Sequence, residues 1–191
     1  MATTEEKAPS RKQRQREARD EARRQLALSQ VRRYPDPALR QKARDVEEFS
    51  EDLKVLSERM GRIMMDADGV GLAGPQLGLL RRILVFRARD EDQITTLVNP
   101  VITSSGDETE SDVEGCLSLP NVAVPVDRST SIVVDAKDVE GNPLHLELEG
   151  FPARVVQHEM DHLDGVLIFD RTTDEARKTA MAALRPTPGA L

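Results

Sequence analysis

The sequence contains little cysteine, few aromatic residues and no long apolar run. Its 191 residues include one cysteine, no tryptophan, one tyrosine and three histidines. A single cysteine excludes an internal disulfide framework, so the thiol is structural, metal-binding or catalytic. No apolar stretch approaches the roughly 20 residues of a membrane span, and the N-terminus has no signal-peptide core. These absences predict a cytoplasmic protein with no membrane partner.

The charge is unevenly distributed along the chain. The net charge is −7, yet residues 1–24 hold eight Lys/Arg against five Asp/Glu, so this segment carries +3 and the remainder −10. An acidic body argues against a nucleic-acid-binding core. The lack of tryptophan and the single tyrosine, Tyr34, argue against a surface that stacks bases. We therefore expect no specific nucleic-acid partner.

The polar N-terminal residues predict an extension to one folded domain. Residues 1–30 have almost no large apolar side chain before Leu26, which indicates a charged extension that is flexible or a solvent-exposed helix. A single folded domain is expected over residues 31–185, as a monomer. Residues 186–191, which contain Pro186 and Pro188, are expected to be a disordered tail.

Hydrophobic periodicity predicts an α+β fold. Apolar residues at helical spacing indicate a helix over 50–66 with Ser50 as its N-cap. Strand patterns follow at 82–86, 96–102, 132–136 and 144–149, and the last two are predicted to form a hairpin. His145 falls on the polar side of its strand and is expected to face solvent. Two more helices are predicted, one from Pro152 to about Gly165 and a short one over 174–184.

The segment GVGLAGPQ, residues 69–76, has three glycines and a proline, too many for a helix or a regular strand. A nucleotide-binding loop would need either a following Gly-Lys-Ser/Thr or a strand before it and a helix after it. Here a helix precedes the segment and a strand follows it. The glycines are therefore expected to let the backbone pass close to a ligand or another strand.

Two of the three histidines flank a glutamate in the segment His158-Glu159-Met160-Asp161-His162. On a helix, residues four apart lie on one face, so both imidazoles can bind one divalent metal. Glu159 can then reach a water on that metal. The alternative is an ordinary solvated helical turn. The spacing predicts a metal-dependent hydrolase that still needs a third ligand.

The usual third ligands of zinc proteases are missing downstream. A third histidine six residues after His162 is replaced by Ile168, and a glutamate from a later helix could only be Glu175, near the end of the chain. Upstream, Cys116 lies in a short polar segment with Gly115, and a Cys-His-His set would leave one coordination position open for catalysis. A buried structural role for this cysteine remains the alternative.

With these residues in place, the sequence resembles the peptide deformylase family. GVGLAGPQ (69–76), EGCLS (114–118) and QHEMDHLDG (157–165) occur in the family's order and at similar separations, and the resemblance covers about residues 31–171. It implies an enzyme that removes the formyl group from the N-formylmethionine of new bacterial polypeptides and releases formate. We expect antiparallel or mixed sheets packed around a central helix that carries the HExxH motif, with one helix near the N-terminus and a short C-terminal helix.

The resemblance also implies roles for individual residues. Cys116, His158 and His162 would hold the metal, which in the family is Fe(II), with Ni, Co or Zn able to substitute. Glu159 would be the general acid and base, and the Gln76 side chain and the Leu117 backbone N–H would stabilise the oxyanion. The substrate peptide is expected to lie extended in a site formed by Val70, Gly71, Gly115, Phe151 and Val155.

Two features of this sequence differ from those of many members of the family. Residues 121–124 offer no basic side chain where some relatives use arginine to hold the peptide, and the chain ends early where some relatives extend a helix that docks on the ribosome. The basic N-terminal arm is a candidate substitute for that helix.

Two other functions stay open for this sequence. The alternatives to a deformylase are a zinc peptidase that shares only the helix motif and a non-catalytic metal-binding or ribosome-associated relative.

Overall fold

The computed structural model describes residues 10–87 and 93–184, so the first nine residues of the predicted extension and the predicted tail 186–191 lie outside it. The helices are α1 (Arg11–Gln30), α2 (Glu51–Asp66), α3 (Gly150–Leu163) and α4 (Asp174–Ala183). The strands are β1 (Gly71–Ala73), β2 (Ile83–Phe86), β3 (Thr95–Ser105), β4 (Thr109–Cys116), β5 (Leu119–Ser129), β6 (Ser131–Lys137) and β7 (Pro143–Glu149). The α+β class predicted from the sequence is confirmed.

Two antiparallel sheets form the β structure. The larger has the strand order β1-β2-β3-β6-β7, and β4 pairs with β5 in the smaller one. The predicted hairpin is confirmed as β6–β7, in which Asp135 lies opposite His145. His145 faces solvent as predicted, with its side chain 63% exposed, and its Nδ1 also lies 2.6 Å from Asp135 Oδ1 on the neighbouring strand.

The Gly-rich segment is more regular than predicted. Gly71–Ala73 forms the short edge strand β1, which pairs with β2, and Gly74–Leu77 follows as a turn of 3-10 helix. A short strand forms because the backbone can reach β2 even where side chains are small. The expectation of irregular backbone is therefore wrong for residues 71–73.

The helix α1 projects from the body for most of its length. Its N-cap Ser10 accepts a hydrogen bond from the backbone N–H of Gln13 at 3.3 Å. Within α1 only Ala27 is buried, and Leu26 is exposed. The C-terminal end of α1 packs on α2 through an apolar cluster that includes Ala27 and Val31.

The helix α3 lies between the sheets and carries the HExxH motif. It begins at Gly150, two residues before the predicted start at Pro152, because Gly150 adopts a left-handed φ of 58° where β7 turns into the helix. Its apolar side, with Val155, Val156 and Met160, packs into the core formed with the larger sheet. The helix ends before Gly165, whose φ is 74° and which lies so close to the Arg40 backbone that a side chain would not fit.

The N-terminal segment is joined to the end of α3. The backbone N–H of Ala43 donates to the carbonyl of Leu163 at 2.8 Å, and the Arg40 guanidinium donates to the carbonyl of Gly165. The described part of the chain contains no helix that is both long and apolar enough to cross a membrane.

Candidate metal centre

The three predicted metal-binding side chains converge where β4 ends against α3. One donor atom from each of Cys116, His158 and His162 lies within 4.8 Å of the other two. Cys116 Sγ is 3.2 Å from His162 Nε2. The helix supplies both imidazoles from adjacent turns and the hairpin β4–β5 supplies the thiol. The structure thus brings together side chains that are more than 40 residues apart in the sequence.

A carboxylate behind the site orients His158. Glu114 Oε2 lies 3.0 Å from His158 Nδ1, which leaves Nε2 of His158 free to bind a metal. Burial alone would lower the pKa of His158, but the contacts with Cys116 and Glu114 outweigh it and raise this pKa well above its ordinary value. Burial lowers the pKa of His162 well below its ordinary value, which keeps that imidazole neutral, the form that binds metals.

Glu159 lies beside these ligands with one oxygen unused. The residue is 4% exposed, and within the described residues its Oε2 has no hydrogen-bond partner. Burial is the main cause that raises the pKa of Glu159 to about 7. A pKa near neutrality suits a group that must both accept and release a proton.

The position of the Glu159 carboxylate requires glycine as residue 71, on β1. A Cβ on Gly71 would collide with Glu159 Oε1, so any side chain on this residue would displace the carboxylate. The strand therefore approaches α3 closely only because residue 71 is glycine.

The Gln76 side chain is buried and held with its amide nitrogen towards the site. Its Oε1 accepts a hydrogen bond from the Ala73 N–H at 2.8 Å. Its Nε2 lies 3.3 Å from Ser118 Oγ and 3.7 Å from Cys116 Sγ. The fixed oxygen determines which way the amide points, so the NH₂ group faces Cys116, one of the three predicted metal ligands.

A network of buried charges supports the site from behind. Arg128 donates to both oxygens of Glu114 at 3.0 Å, and Arg154 donates to Glu114 Oε1 at 2.9 Å. Burial would raise the pKa of Glu114, but the hydrogen bonds from His158 and Arg128 lower it to about 2. Glu114 therefore stays ionised and fixes the tautomer of His158.

The network continues along α3 through Asp161. Arg128 donates to Asp161 Oδ2 at 2.6 Å, and Arg171 donates to both oxygens of Asp161 at 2.6 and 3.1 Å. Asp161 is the fourth residue of the HExxH motif, so the same stretch of helix carries the two predicted histidine ligands and an anchor for the network. The result is a helix whose rotation about its axis is fixed by ion pairs.

A cleft of about 560 Å³ opens in front of these residues. All five residues predicted to bind substrate line it, together with Gln76, Cys116, Leu117, His158 and Glu159; the five are Val70, Gly71, Gly115, Phe151 and Val155. The volume is typical of a small-ligand site. Leu117 follows Cys116 in the turn between β4 and β5 and lines the cleft.

The donor set fits one first-row divalent metal ion. One thiolate and two imidazoles leave a coordination position open to the cleft, as catalytic sites require. Among the described residues, Glu159 Oε2, on the same helical turns as the two imidazoles, is buried without a hydrogen-bond partner. An unpaired buried polar atom is costly, so this oxygen supports a polar occupant at this point.

Comparison with known proteins assigns the chain to a family. The sequence model of the polypeptide deformylase family matches residues 28–178. The chain belongs to this family. A peptide deformylase from Dictyoglomus thermophilum is 46% identical over 153 residues, which cover 80% of this chain and 97% of the relative. Peptide deformylase 1 of Corynebacterium efficiens is 41% identical over 84% of this chain and 96% of the relative.

Solved deformylase structures have the same fold. The crystal structure of peptide deformylase from Thermotoga maritima matches with a TM-score of 0.73 and 44% identity, over 75% of this chain and 96% of that one. The enzyme from Thermus thermophilus matches with a TM-score of 0.76 and 45% identity, over 81% and 91%. As a deformylase, the chain is a metal-dependent hydrolase that removes the formyl group from the N-terminal methionine of newly made polypeptides.

Several residues around the deformylase site were not identified from the sequence. Glu114, Arg128 and Arg154 form the network behind His158, and Ser118 contacts Gln76. A signal existed for Glu114 and Ser118, since each lies two residues from Cys116 in the segment 114–118. Nothing local in the sequence shows that β5 and α3 bury Arg128 and Arg154 against the same carboxylate.

Proposed function

We propose that this deformylase uses one Fe(II) ion held by Cys116, His158 and His162, with Glu159 as the general acid and base. The convergence of the three donor atoms beside the unpaired Glu159 oxygen carries this proposal. Ni, Co or Zn could occupy the same donors. When bound, the metal supplies a Lewis acid that activates water and polarises the formyl oxygen.

Glu159 moves the protons of the reaction. With its pKa raised to about 7, it accepts a proton from the attacking water and later delivers one to the departing amine. Gln76 and the backbone N–H of Leu117 donate to the oxyanion that forms on the formyl oxygen. The hydrogen bonds that orient Gln76 support this role, because a preorganised donor needs no rearrangement during the reaction.

The peptide lies extended along the cleft. Val70, Gly71 and Gly115 offer backbone beside the metal-binding residues, and backbone contacts tolerate many sequences. Phe151 and Val155, both on α3, form the apolar surface for the methionine side chain. An enzyme that acts on many nascent chains must recognise the first residue and accept many different sequences after it.

Formate release from formyl-Met-Ala-Ser by anaerobically purified protein tests the mechanism. Glu159→Ala should lose most of the activity, and Gln76→Ala should lose roughly 10²–10³ in rate, as for other oxyanion donors. Ser57→Ala, far from the cleft, is the control and should leave the rate unchanged. Unchanged turnover in Gln76→Ala would remove Gln76 from the mechanism, and cleavage of the Met–Ala bond would favour a zinc peptidase.

The identity of the metal is tested by exposure to air. A thiolate beside Fe(II) makes the site sensitive to oxygen, through the metal or through oxidation of Cys116. The iron form should lose activity in air and the nickel form should retain it. Equal half-lives for the two forms would contradict the assignment of iron.

The proposed setting is the bacterial cytoplasm, where a monomer meets nascent chains at the ribosome. Support for ribosome docking comes from α1, in which Lys12, Arg16, Arg19 and Arg23 recur along one face of an exposed helix. Replacing Lys12, Arg16 and Arg19 with glutamine should weaken co-sedimentation with ribosomes and reduce its salt dependence. Glu17→Gln on the same helix is the control, and equal binding by all variants would exclude this docking mode.

A further inference from the structure

One wall of the substrate cleft comes from α1 and the segment after it. Arg24 and Leu28 on α1 and Arg33 beyond it all line the cleft that contains Cys116 and Glu159. Arg24 precedes residue 28, where the match to the family begins. Leu28 packs on the same apolar cluster as Leu117, so the end of α1 is attached to the turn that follows the metal-binding cysteine.

Two backbone hydrogen bonds fix the position of Arg33. The N–H of Arg32 donates to the carbonyl of Gln76 at 2.6 Å, and the N–H of Tyr34 donates to the carbonyl of Ser118 at 2.9 Å. Arg33 is thus held between the two segments that supply the proposed oxyanion donors. Its side chain begins from a fixed point at the cleft wall.

Both guanidinium groups are exposed and available for a ligand. In the described part of the chain, neither Arg24 nor Arg33 makes an ion pair or a side-chain hydrogen bond. Arg154 lines the same cleft but is engaged by Glu114 and by backbone carbonyls.

The cleft also holds two exposed carboxylates on other elements. Asp68 follows α2, and Asp112 lies on β4, where its Oδ1 accepts a hydrogen bond from the Val113 N–H. Neither forms an ion pair with Arg24 or Arg33. The two unpaired arginines of the cleft thus lie on α1 and the segment after it, and the two exposed carboxylates lie on other elements.

We infer that Arg24 and Arg33 make this enzyme prefer formylated peptides with an acidic residue shortly after the methionine. The inference rests on the proposed function, because it takes the cleft as the path of the peptide. An extended peptide advances about 3.3 Å per residue, so side chains just beyond methionine come within reach of long arginine side chains on the wall. Exposed arginine–carboxylate pairs act with modest strength, so the effect is a preference rather than a requirement.

Matched peptides with amidated C-termini test the inference. Formyl-Met-Ala-Ser, its versions with Glu at the second or third position, and the same versions with Lys differ only in side-chain charge. At low salt, kcat/KM should favour the Glu peptides over the Lys peptides through KM, by about 2–5-fold for each arginine that contributes. The preference should shrink at high salt, because screening weakens exposed pairs.

Charge variants identify the residues responsible. Arg24→Gln with Arg33→Gln should bring the Glu-to-Lys ratio of kcat/KM close to one, and Arg24→Lys should retain most of the preference. Arg23→Gln, on the neighbouring residue that pairs with Asp20 and does not line the cleft, should leave the ratio unchanged. An unchanged ratio in the double variant, or an equal change in Arg23→Gln, would overturn the inference.

The same design separates this inference from the proposed function. If no peptide releases formate, the proposed function fails, and the binding of labelled peptides measured by fluorescence anisotropy then decides the charge preference by itself. If formate is released at equal rates from Glu and Lys peptides at low salt, the deformylase assignment stands and the charge preference is wrong.

Discussion

Two regions of this molecule pair arginine with carboxylate in opposite surroundings. Around Glu114, the side chains of Glu114 and Arg128 are each 5% exposed and lie 3.0 Å apart. On α1, Arg23 and Asp20 lie closer, at 2.5 Å, but their side chains are 65% and 48% exposed. Loss of one partner should cost less in the shorter pair, because water can replace either partner on α1 and cannot do so around Glu114.

The comparison shows that distance alone does not measure the importance of an ion pair. What matters is the state of the partner that remains when one charge is removed. Behind the metal centre that partner is buried, so its unpaired charge is expensive. The cost of removing one charge should therefore be largest around Glu114 and smallest on α1.

Removal of the central carboxylate should have the largest effect. Glu114→Gln leaves Arg128 and Arg154 buried without their charged partner and should cost about 3–5 kcal/mol of the free energy of unfolding. It should also lower metal affinity by about 10–100-fold, because His158 loses the group that orients it. Urea unfolding of the metal-free protein and metal titration measure the two effects. A loss of unfolding free energy below about 1 kcal/mol would mean that the buried pair of Glu114 and Arg128 contributes no more than an exposed ion pair.

Acidification should reproduce part of that loss in the metal-free protein. The pKa of Glu114 is lowered from 4.5 to about 2 by folding. Its contribution is therefore complete above pH 4.5 and disappears as the pH falls towards 2, a loss of at most about 3 kcal/mol at 1.36 kcal/mol per pKa unit. The difference in unfolding free energy between wild type and Glu114→Gln should shrink over this range. A constant difference would mean that Glu114 is not ionised in the folded protein.

The ionisation of Glu159 should change the free energy of unfolding in the opposite direction to the ionisation of Glu114. Burial raises its pKa to about 7, so the folded state binds its proton more tightly than the unfolded state does. Its ionisation destabilises the metal-free fold as the pH rises from 4.5 to 7. Glu159→Gln should therefore gain stability relative to wild type over that range and not below it.

Loss of Arg171 should have an intermediate effect. Arg171 makes two hydrogen bonds to Asp161, but its side chain is 50% exposed. Asp161 keeps its contact with Arg128 when Arg171 is removed. Arg171→Gln should cost about 1–1.5 kcal/mol, the usual worth of such a bond, measured by urea unfolding. A loss of unfolding free energy as large as that of Glu114→Gln would show that solvent exposure does not weaken the pair of Arg171 and Asp161.

The exposed pair should have the smallest effect. Asp20→Asn removes the contacts of Arg16 and Arg23 on α1, and all three side chains remain in water. The free energy of unfolding should change by no more than about 0.5 kcal/mol. A larger loss would mean that α1 is more strongly coupled to the body than its exposure indicates.

The predictable parts of the structure were those with a local pattern. The four-residue spacing of His158 and His162, the alternation in 144–149 and the helical periodicity of 50–66 each appear within one element, and all three elements were predicted correctly. The strand β4 was not predicted, because most of its residues are polar and exposed and give no alternation.

The buried network could not be predicted for a different reason. Glu114 and Arg154 are 40 residues apart, and their pairing depends on how β4 packs against α3. The position of Arg24 at the cleft depends in the same way on how α1 packs against α2. Sequence patterns show which side chains point in the same direction within an element, and they do not show which elements meet.

The connection between the N-terminal segment and the end of α3 has a consequence for folding during synthesis. Arg40 contacts Gly165, which is added to the chain 125 residues later. At roughly 5–20 residues per second, the ribosome needs on the order of 10 s to make that stretch. Until then the segment after α1 has no complete partner, because Leu163, to which Ala43 donates, has not been made. High sequence separation of this kind delays closure, so the catalytic cleft should form in one late step once the metal-binding helix has emerged.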